Sequence, residues 1–326
     1  MVRILEAMAI LAQAPGTAGD QSAPPAAHRT AEPDLRFAGA AQRRSLPYET
    51  SRGLIFVRGN VAGREVWVLI DTGASRTIVD AGLARAAGLA TEAATASLAT
   101  PSGPLAAQRV RNLRLGFPGR MDARLPLALS ADLGPVSAML GRRVEAVLGW
   151  DILARVAMLV DPAGATLEFG ESGMLSPPAG AASVPLSTRG RIPVRVGKEN
   201  VSLLVDLGSN HNVGLCADAW ARLAPEGAAT RPIEVGHGQG RREARRAGVL
   251  PQVIMGHATF RNVSTAIEPG RPEEGDGHVG LGLLSGLVFM LDAGAGRMWF
   301  LPAQRTASPR PSQDRRAPVP PPGPGR

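Results

Sequence analysis

The stretch Val66-Trp67-Val68-Leu69-Ile70-Asp71-Thr72-Gly73-Ala74-Ser75 decides how this chain is organised. Its unbroken apolar run predicts a strand that is buried on both faces. An ionisable aspartate at the end of such a strand is costly unless it is hydrogen-bonded or functional. The Thr-Gly pair that follows supplies a short hydroxyl and a residue that can turn sharply. The stretch therefore predicts a buried strand that delivers a carboxylate into a tight loop.

A second stretch, Val201-Ser202-Leu203-Leu204-Val205-Asp206-Leu207-Gly208-Ser209-Asn210, repeats this pattern. It has an apolar run, an aspartate and a glycine at the same offset, with Ser209 where the first copy has Ala74. Each copy is followed by an apolar segment that contains glycine, and then by a turn that starts with aspartate and leads into a strand. These following segments are 146–153 and 161–169 after the first copy, and 279–284 and 292–300 after the second.

The spacing between the two copies is nearly constant. The offset is 135 residues for the aspartates, 133 for a glycine and 131 for a phenylalanine; the pairs are Asp71 with Asp206, Gly149 with Gly282, and Phe169 with Phe300. Three landmarks in one order at one spacing predict an internal duplication. At 326 residues the chain has room for two lobes of ordinary domain size.

The first motif resembles the active-site loop of the aspartic proteases, most closely the retropepsin-like branch, and the resemblance covers roughly residues 50 to 303. It implies an all-β fold of two pseudo-symmetric β-barrel lobes with short helices. It also implies that Asp71 and Asp206 form a catalytic dyad between the lobes. In the first loop, Thr72 and Gly73 would orient the Asp71 carboxylate, and Ser75 would donate a hydrogen bond to it. In the second loop, the same support would come from Gly208 and Ser209.

Two carboxylates that share one proton suit peptide hydrolysis, because one can activate water while the other protonates the reacting group. At a separation of about 4 Å and an effective dielectric constant near 20, the repulsion between two charged carboxylates is roughly 4 kcal/mol, or about three pKa units. One aspartate is therefore expected to be ionised and the other protonated from acidic to near-neutral pH.

Leu207 departs from the family pattern, which has threonine after both aspartates. In that family the two threonine hydroxyls interlock at the lobe interface. Since leucine has no hydroxyl, we expect the Thr72 hydroxyl to turn to backbone or water. The second motif is therefore degenerate, and its contribution to catalysis is the open question that the sequence raises.

The sequence predicts five segments along the whole chain. Residues 1–14 resemble a secretory signal, with Ala12-Gln13-Ala14 as small residues at the expected cleavage positions, although Glu6 interrupts the apolar stretch. The expected division is a signal-like and disordered leader at 1–47, a first lobe at 48–170, a linker at 171–182, a second lobe at 183–303 and a disordered Pro- and Arg-rich tail at 304–326.

Within each lobe, local patterns predict a hairpin before the motif, a short helix after it and a flap that covers the cleft. The predicted helices span 80–89 in the first lobe and 217–223 in the second. The flap of the first lobe would carry Ser102 and Gly103, and that of the second lobe would carry His237 and Gly238. These four residues are the expected substrate-binding positions of the flaps.

Charge and composition argue against several classes of protein function. The net charge is +8, but the tail from Arg305 to Arg326 holds five arginines and one aspartate, so half of the excess lies there. With no basic stripe interleaved with aromatic residues, a nucleic-acid-binding body is not indicated. The single cysteine, Cys216, lacks the His and Cys neighbours of a metal site. We expect no metal, no cofactor and no transmembrane helix.

The favoured interpretation is an aspartic endopeptidase that uses Asp71 and Asp206 on a peptide or protein substrate, with one cleft in a monomer. Two alternatives stay open: a homodimer that pairs Asp71 from each chain, and a peptide-binding module whose catalytic site has decayed. A contact between the two carboxyls would favour the first, and an exposed apolar face around Asp71 the second. A separated or occluded pair would favour the third. The expected location is periplasmic or secreted, with cytoplasmic as the alternative.

Overall fold

The structure is a computed structural model that describes residues 3–5, 32–39, 45–100, 103–236, 242–269 and 275–302. At 3–5, 93–100 and 103–105 it describes the backbone alone. The sequence expectation of an all-β fold is confirmed, because most of the chain is β-strand and the described helices are short. None of these helices has both the length and the apolar character that crossing a bilayer requires.

The strands of the first half, in chain order, are β1 (Arg3–Leu5), β2 (Asp34–Phe37), β3 (Leu46–Ser51), β4 (Leu54–Val61), β5 (Arg64–Ile70), β6 (Ile78–Asp80), β7 (Thr91–Thr100), β8 (Gly103–Phe117), β9 (Met121–Ala131), β10 (Ala146–Leu148), β11 (Val156–Asp161) and β12 (Thr166–Glu171). Those of the second half are β13 (Ala182–Pro185), β14 (Arg191–Val196), β15 (Glu199–Asp206), β16 (Val213–Cys216), β17 (Arg231–Gly236), β18 (Arg242–Met255), β19 (Ala258–Glu268), β20 (Gly277–Gly280), β21 (Leu287–Asp292) and β22 (Arg297–Pro302). The helices are α1 (Ala81–Ala86), α2 (Gly134–Leu140), α3 (Trp150–Leu153), α4 (Ala217–Leu223) and α5 (Leu281–Leu284).

The chain folds twice in the same way. We call residues 54–153 the first lobe and residues 191–284 the second lobe. In each, a hairpin (β4–β5 or β14–β15) ends at the motif aspartate, and a short helix (α1 or α4) follows the next strand. A short strand then pairs in parallel with the hairpin strand that carries the motif: β10 with β5, and β20 with β15. This repetition is the structural form of the duplication that the spacing predicts.

Local sequence explains where α1 begins and ends. The Asp80 side chain accepts a hydrogen bond from the backbone N–H of Leu83 at 3.1 Å, so it caps the first turn. Gly88 takes a positive φ of 64° just after the helix, a conformation that favours glycine. In the second lobe, α4 spans the residues predicted for it, Ala217–Leu223.

A central antiparallel sheet joins the lobes. Its strands run in the order β13-β22-β21-β11-β12-β3 and continue through β4 into the strands of the first lobe, so that they form one end of a 14-stranded sheet. Within it, β11 pairs directly with β21. Leu159 pairs with Met290, the residue that lies 131 positions later in the chain, so these two equivalent residues face each other across the pseudo-two-fold axis. Each half of the chain therefore contributes corresponding strands to one shared sheet, and the axis runs between the two motif loops.

The expectation of a wholly disordered leader is wrong for part of it. Strand β2 pairs with β9, and its Leu35 and Phe37 pack against the core. Glu32 also forms an ion pair with Arg155 at 3.0 Å. Strand β1 pairs in parallel with β17 of the second lobe, with Arg3 opposite Glu234. Residues 6–31, 40–44 and the tail from 303 lie outside the described residues.

Candidate active site

The first motif loop holds the Asp71 carboxylate through backbone donors. Strand β5 is buried from Val68 to Ile70, and Asp71 itself is fully buried. Its Oδ1 accepts hydrogen bonds from the N–H groups of Gly73, at 2.9 Å, and Ala74, at 3.0 Å. This agrees with the orienting role that the resemblance implies for Gly73.

The second motif loop has the same form. Asp206 is 3% exposed, and its Oδ1 accepts a hydrogen bond from the N–H of Gly208 at 2.8 Å. The backbone of Ser209 also donates to the Asp206 carbonyl at 3.4 Å. Gly208 therefore supports Asp206 in the way that Gly73 supports Asp71.

The two loops meet at the aspartates. A Cβ added at Gly73 would clash with the carboxyl of Asp206, and one added at Gly208 would clash with the carboxyl of Asp71. Each glycine thus makes room for the carboxyl of the opposite lobe. The two Asp-x-Gly motifs therefore make the same contact with each other in both directions across the pseudo-two-fold axis.

The electrostatics of the pair follow from this burial. Desolvation raises the pKa of the Asp71 carboxyl well above its ordinary value, and the negative charge of Asp206 raises it further. The N–H groups of Ala74 and Gly73 lower the pKa but do not reverse the shift. Oδ2 of Asp71 is buried and receives no N–H or hydroxyl donor from the described residues. The Asp206 carboxyl is therefore the neighbour with which it can share a proton.

Thr72 ties the two loops together. Its hydroxyl donates to the carbonyl of Val205 at 2.5 Å and accepts from the N–H of Leu207 at 2.9 Å. Both partners are backbone groups of the second lobe, so Leu207 supplies its half of this contact without a hydroxyl. The expected interlock of two hydroxyls is replaced by a single hydroxyl bridging two backbone groups, and Leu207 itself is fully buried.

Two expected supporting contacts are wrong. Ser75 does not donate to Asp71, since its buried hydroxyl has no hydrogen-bond partner among the described residues. The position three residues after Asp71 is Ala74, so a backbone N–H faces the carboxylate there instead. Ser209 does not use its hydroxyl on Asp206 either, because Oγ lies 3.0 Å from Nε2 of His278 and accepts from the N–H of His211 at 3.2 Å.

The structure also shows which glycine of the second lobe corresponds to Gly149, in the apolar segment that follows each motif. Gly280 pairs with Asp206 on the ladder, while Leu148, the residue before Gly149, pairs with Ile70, the residue before Asp71. The glycine equivalent to Gly149 is therefore Gly280 and not Gly282. The next residue in each lobe donates to the carbonyl of the motif loop, Trp150 to Ala74 at 2.7 Å and Leu281 to Ser209 at 2.8 Å.

Sequence reasoning missed the pair that braces the first loop from behind. The Thr77 hydroxyl donates to Asp151 at 2.7 Å and accepts from the N–H of Gly149 at 3.2 Å. Burial raises the pKa of the Asp151 carboxyl above its ordinary value. The two residues lie 74 positions apart, and no local pattern in the sequence signals their contact.

The flap hairpins exist, but their tips are not described. Strands β7 and β8 form an antiparallel hairpin in which Thr100 pairs with Gly103, and β17 and β18 form another. The expected substrate-binding residues Ser102, His237 and Gly238 lie outside the described residues. Their role stays a prediction.

Comparison with known proteins bears on the first lobe. The model of a family described as aspartyl protease matches residues 57–152, a range that contains the complete first motif. Among solved structures, basic 7S globulin from soybean is similar at 13% identity, over 79% of this chain and 94% of that chain, with a TM-score of 0.43. No curated protein matches the sequence. Residues 57–152 are therefore similar to the aspartyl protease family, which confirms the resemblance drawn from the first motif.

Proposed function

We propose that this chain is an aspartic endopeptidase whose dyad, Asp71 and Asp206, activates a water molecule for attack on a peptide bond. The observation that carries the proposal is the reciprocal contact in which each motif glycine accommodates the carboxyl of the other lobe. The match of residues 57–152 to the aspartyl protease family supports the general class. The dyad and the specific reaction are the parts that go beyond it.

The raised pKa of the Asp71 carboxyl supports one division of roles within the pair. A protonated Asp71 would donate its proton to the oxygen of the scissile carbonyl, while an ionised Asp206 would take a proton from the attacking water. Oxygen of that water would form the new bond to the carbonyl carbon, and the C–N bond would then break as the leaving nitrogen receives a proton. Because the carboxyls are coupled, the two titration steps belong to the pair.

The substrate would be an extended peptide lying across the dyad. The flap hairpins β7–β8 and β17–β18 would contribute strand-like backbone hydrogen bonds to such a peptide. Ser102 and Gly103 in one flap, and His237 and Gly238 in the other, are the proposed contacts at the tips. No metal or cofactor enters this reaction.

One observation favours a second candidate, a catalytically decayed peptide-binding module. Asp71 is fully buried and Asp206 is only 3% exposed, so the pair is largely occluded. The homodimer alternative has less support, since the Asp71 carboxyl already lies against Gly208 of its own chain and interacts with the charge of Asp206. We propose a monomer with one cleft, and a periplasmic or secreted location based on the signal-like residues 1–14.

Cleavage of an unfolded protein substrate tests the proposal. Asp71→Asn and Asp206→Asn should each abolish cleavage while the far-UV circular dichroism spectrum is retained, because an amide cannot serve as the base or share the proton. Asp132→Asn, at an exposed aspartate whose carboxylate accepts from the nearby Gly134 N–H at 2.9 Å, is the matched control and should stay active. Full activity in either dyad variant would refute the proposal. A wild-type protein that binds unfolded peptide without cleaving it would favour the decayed module.

A further inference from the structure

A chain of polar side chains lies directly beneath the second motif loop. Ser209 Oγ is 3.0 Å from Nε2 of His278, and Nδ1 of His278 is 3.5 Å from Oε2 of Glu268. Ser209 is fully buried and His278 is 7% exposed. The chain therefore runs from the loop that carries Asp206, through an imidazole on β20, to a carboxylate at the end of β19.

The described residues of the first lobe form no such chain. The strand ladders give the equivalent positions, since Leu148 and Val279 pair with the residues just before Asp71 and Asp206, respectively. By the same registers, Cys216 pairs with Glu268 where Asp80 pairs with Ala131. Four positions that hold buried apolar residues in the first lobe therefore hold different residues in the second. Ala74 corresponds to Ser209, Ile78 to Gly214, Ala131 to Glu268 and Val147 to His278.

These four exchanges fit one another. A Cβ at Gly214 would overlap both Glu268 and the His278 ring, so an isoleucine like that of the first lobe is incompatible with the polar chain. Burying polar groups costs free energy unless they are hydrogen-bonded, and the first lobe shows that an apolar solution exists at the same positions. Stability therefore does not explain the polar chain, whereas a role in the motif loop does.

The arrangement resembles a nucleophile with its base, but burial rules out that role. Ser209 has no exposed surface, so no substrate can reach its hydroxyl. A metal site is also not formed here, since no group of three or more potential ligands has suitable geometry in the ranges that the structure describes. These polar side chains can instead determine which acceptor the Ser209 hydroxyl donates to.

The direction depends on the charge of the imidazole. With Glu268 beside Nδ1, the neutral ring carries its proton on Nδ1 and offers Nε2 as an acceptor. The Ser209 hydroxyl then donates to His278, while it accepts from the N–H of His211. When the ring is protonated, Nε2–H donates instead to Ser209 Oγ. The Ser209 hydroxyl then loses His278 as its acceptor, and its side chain can rotate to donate to another acceptor.

Asp206 lies on the side to which that proton can turn. Gly280 is the ladder partner of Asp206, and the Cβ position of Gly280 lies 3.0 Å from Ser209 Oγ. Neighbouring strands are about 4.8 Å apart, and opposite positions in a ladder face the same side of the sheet. The Ser209 hydroxyl therefore lies next to the side of the strand that carries the Asp206 carboxyl. It makes no hydrogen bond to Asp206 while it is bonded to His278, so it reaches the carboxyl by rotation of the Ser209 side chain about the Cα–Cβ bond.

We propose that His278, held by Glu268, is a positioning residue that directs the Ser209 hydroxyl to itself when neutral and to Asp206 when protonated. Its catalytic consequence rests on the proposed endopeptidase function, because a hydroxyl donated to Asp206 stabilises the ionised form that would act as the base. Among the residues that the structure describes, the charged or titratable groups around the ring are Glu268 on β19, His211 in the loop after β15, and Asp206 on β15. Asp276, paired with Arg222, lies just before β20 begins.

A double-mutant cycle followed by NMR tests this without any activity. The ring proton signals of His278 are titrated with pH in the wild type, Asp206→Asn, Ser209→Ala and the double variant. Through the hydroxyl relay, Asp206→Asn should shift the His278 titration midpoint to lower pH, and this shift should be clearly smaller in the Ser209→Ala background. An equal shift in both backgrounds would mean that only through-space charge acts, and it would overturn the proposal, as would no shift at all.

A second variant separates positioning from folding. Combining Ser209→Ala, Glu268→Ala and His278→Val copies three of the four first-lobe residues and leaves Gly214 unchanged. It removes every member of the polar chain together, so no buried charge is left unpaired. Where the protein cleaves peptides, the pH profile of kcat/KM should lose one limb in this variant, whatever the maximum rate that remains. An unchanged pH profile would overturn the proposal. If the wild type shows no cleavage, the endopeptidase function fails while the NMR cycle still decides the role of His278.

Discussion

The Thr72 hydroxyl of the first lobe accepts a hydrogen bond from the backbone N–H of Leu207 in the second lobe, at 2.9 Å. The same hydroxyl donates to the Val205 carbonyl at 2.5 Å. One side chain therefore satisfies a donor and an acceptor on either side of Asp206, in a region from which water is excluded. This bridge fixes the backbone of the second motif loop relative to the first, and with it the distance between the two carboxyls.

Replacing Thr72 with valine should destabilise the protein. Valine keeps the shape but removes the hydroxyl, which leaves the N–H of Leu207 and the carbonyl of Val205 without this partner. A buried group without a partner costs about 1–3 kcal/mol. Urea unfolding should show a loss of that order. Thr72→Ser keeps the hydroxyl and serves as the matched control; equal stability of the valine and serine variants would show that the bridge contributes nothing.

The raised pKa of Asp71 predicts how stability depends on pH. Because the folded state binds this proton more tightly than the unfolded state does, the contribution of Asp71 is fully present below the unfolded pKa and is lost as pH rises through the folded pKa. Asp71→Asn removes the titration. The variant should therefore be more stable than the wild type at neutral pH, with the difference shrinking towards acidic pH. The measurement is the free energy of chemical unfolding of both proteins at several pH values. A difference between them that does not change with pH would contradict a raised pKa of Asp71 in the folded state.

The sequence predicts those parts of the fold that local patterns encode. The apolar runs before Asp71 and Asp206, the glycines of the hairpins and the helix over 217–223 are all signalled by neighbouring residues, and the structure has them. The meeting of the two aspartates follows from the duplication, since a repeated lobe implies a two-fold relation.

What the sequence does not predict depends on contacts between distant residues. Ser209 and His278 lie 69 positions apart, and only the ladder between β15 and β20 brings them together. Gly280 and Gly282 both follow apolar residues, so register alone decides which of them matches Gly149. Strand β2 is four residues long and half polar, and it forms because β9 offers an edge for pairing.

Deleting residues 1–45 should lower stability, in contrast to the expectation from sequence. The deletion removes β2, whose Leu35 and Phe37 pack against the core. Burying a large apolar side chain contributes roughly 1.5–3 kcal/mol, and somewhat less for these half-buried residues. Phe37→Ala in the full chain should reproduce part of the fall in Tm, while Arg36→Ala, on the exposed face of the same strand, should not. An unchanged Tm after the deletion would show that β2 is dispensable.

Leu207→Thr should improve the precision of the dyad at little cost in stability. The bridge through Thr72 has no counterpart in the opposite direction, because Leu207 has no hydroxyl to offer to the backbone of the first lobe. By pseudo-symmetry, a threonine hydroxyl there would donate to the carbonyl of Ile70 and accept from the N–H of Thr72.

The two energetic effects of this substitution oppose each other. Leu207 is fully buried, so the smaller threonine gives up apolar burial of roughly 1–2 kcal/mol. The new hydrogen bonds offset this by about 1 kcal/mol each. We expect low but measurable peptidase activity in the natural chain and higher kcat in Leu207→Thr, with a similar urea midpoint. Asp206→Asn should abolish activity in both backgrounds. Activity that survives Asp206→Asn would place catalysis outside the second lobe and move the homodimer of Asp71 residues to first place.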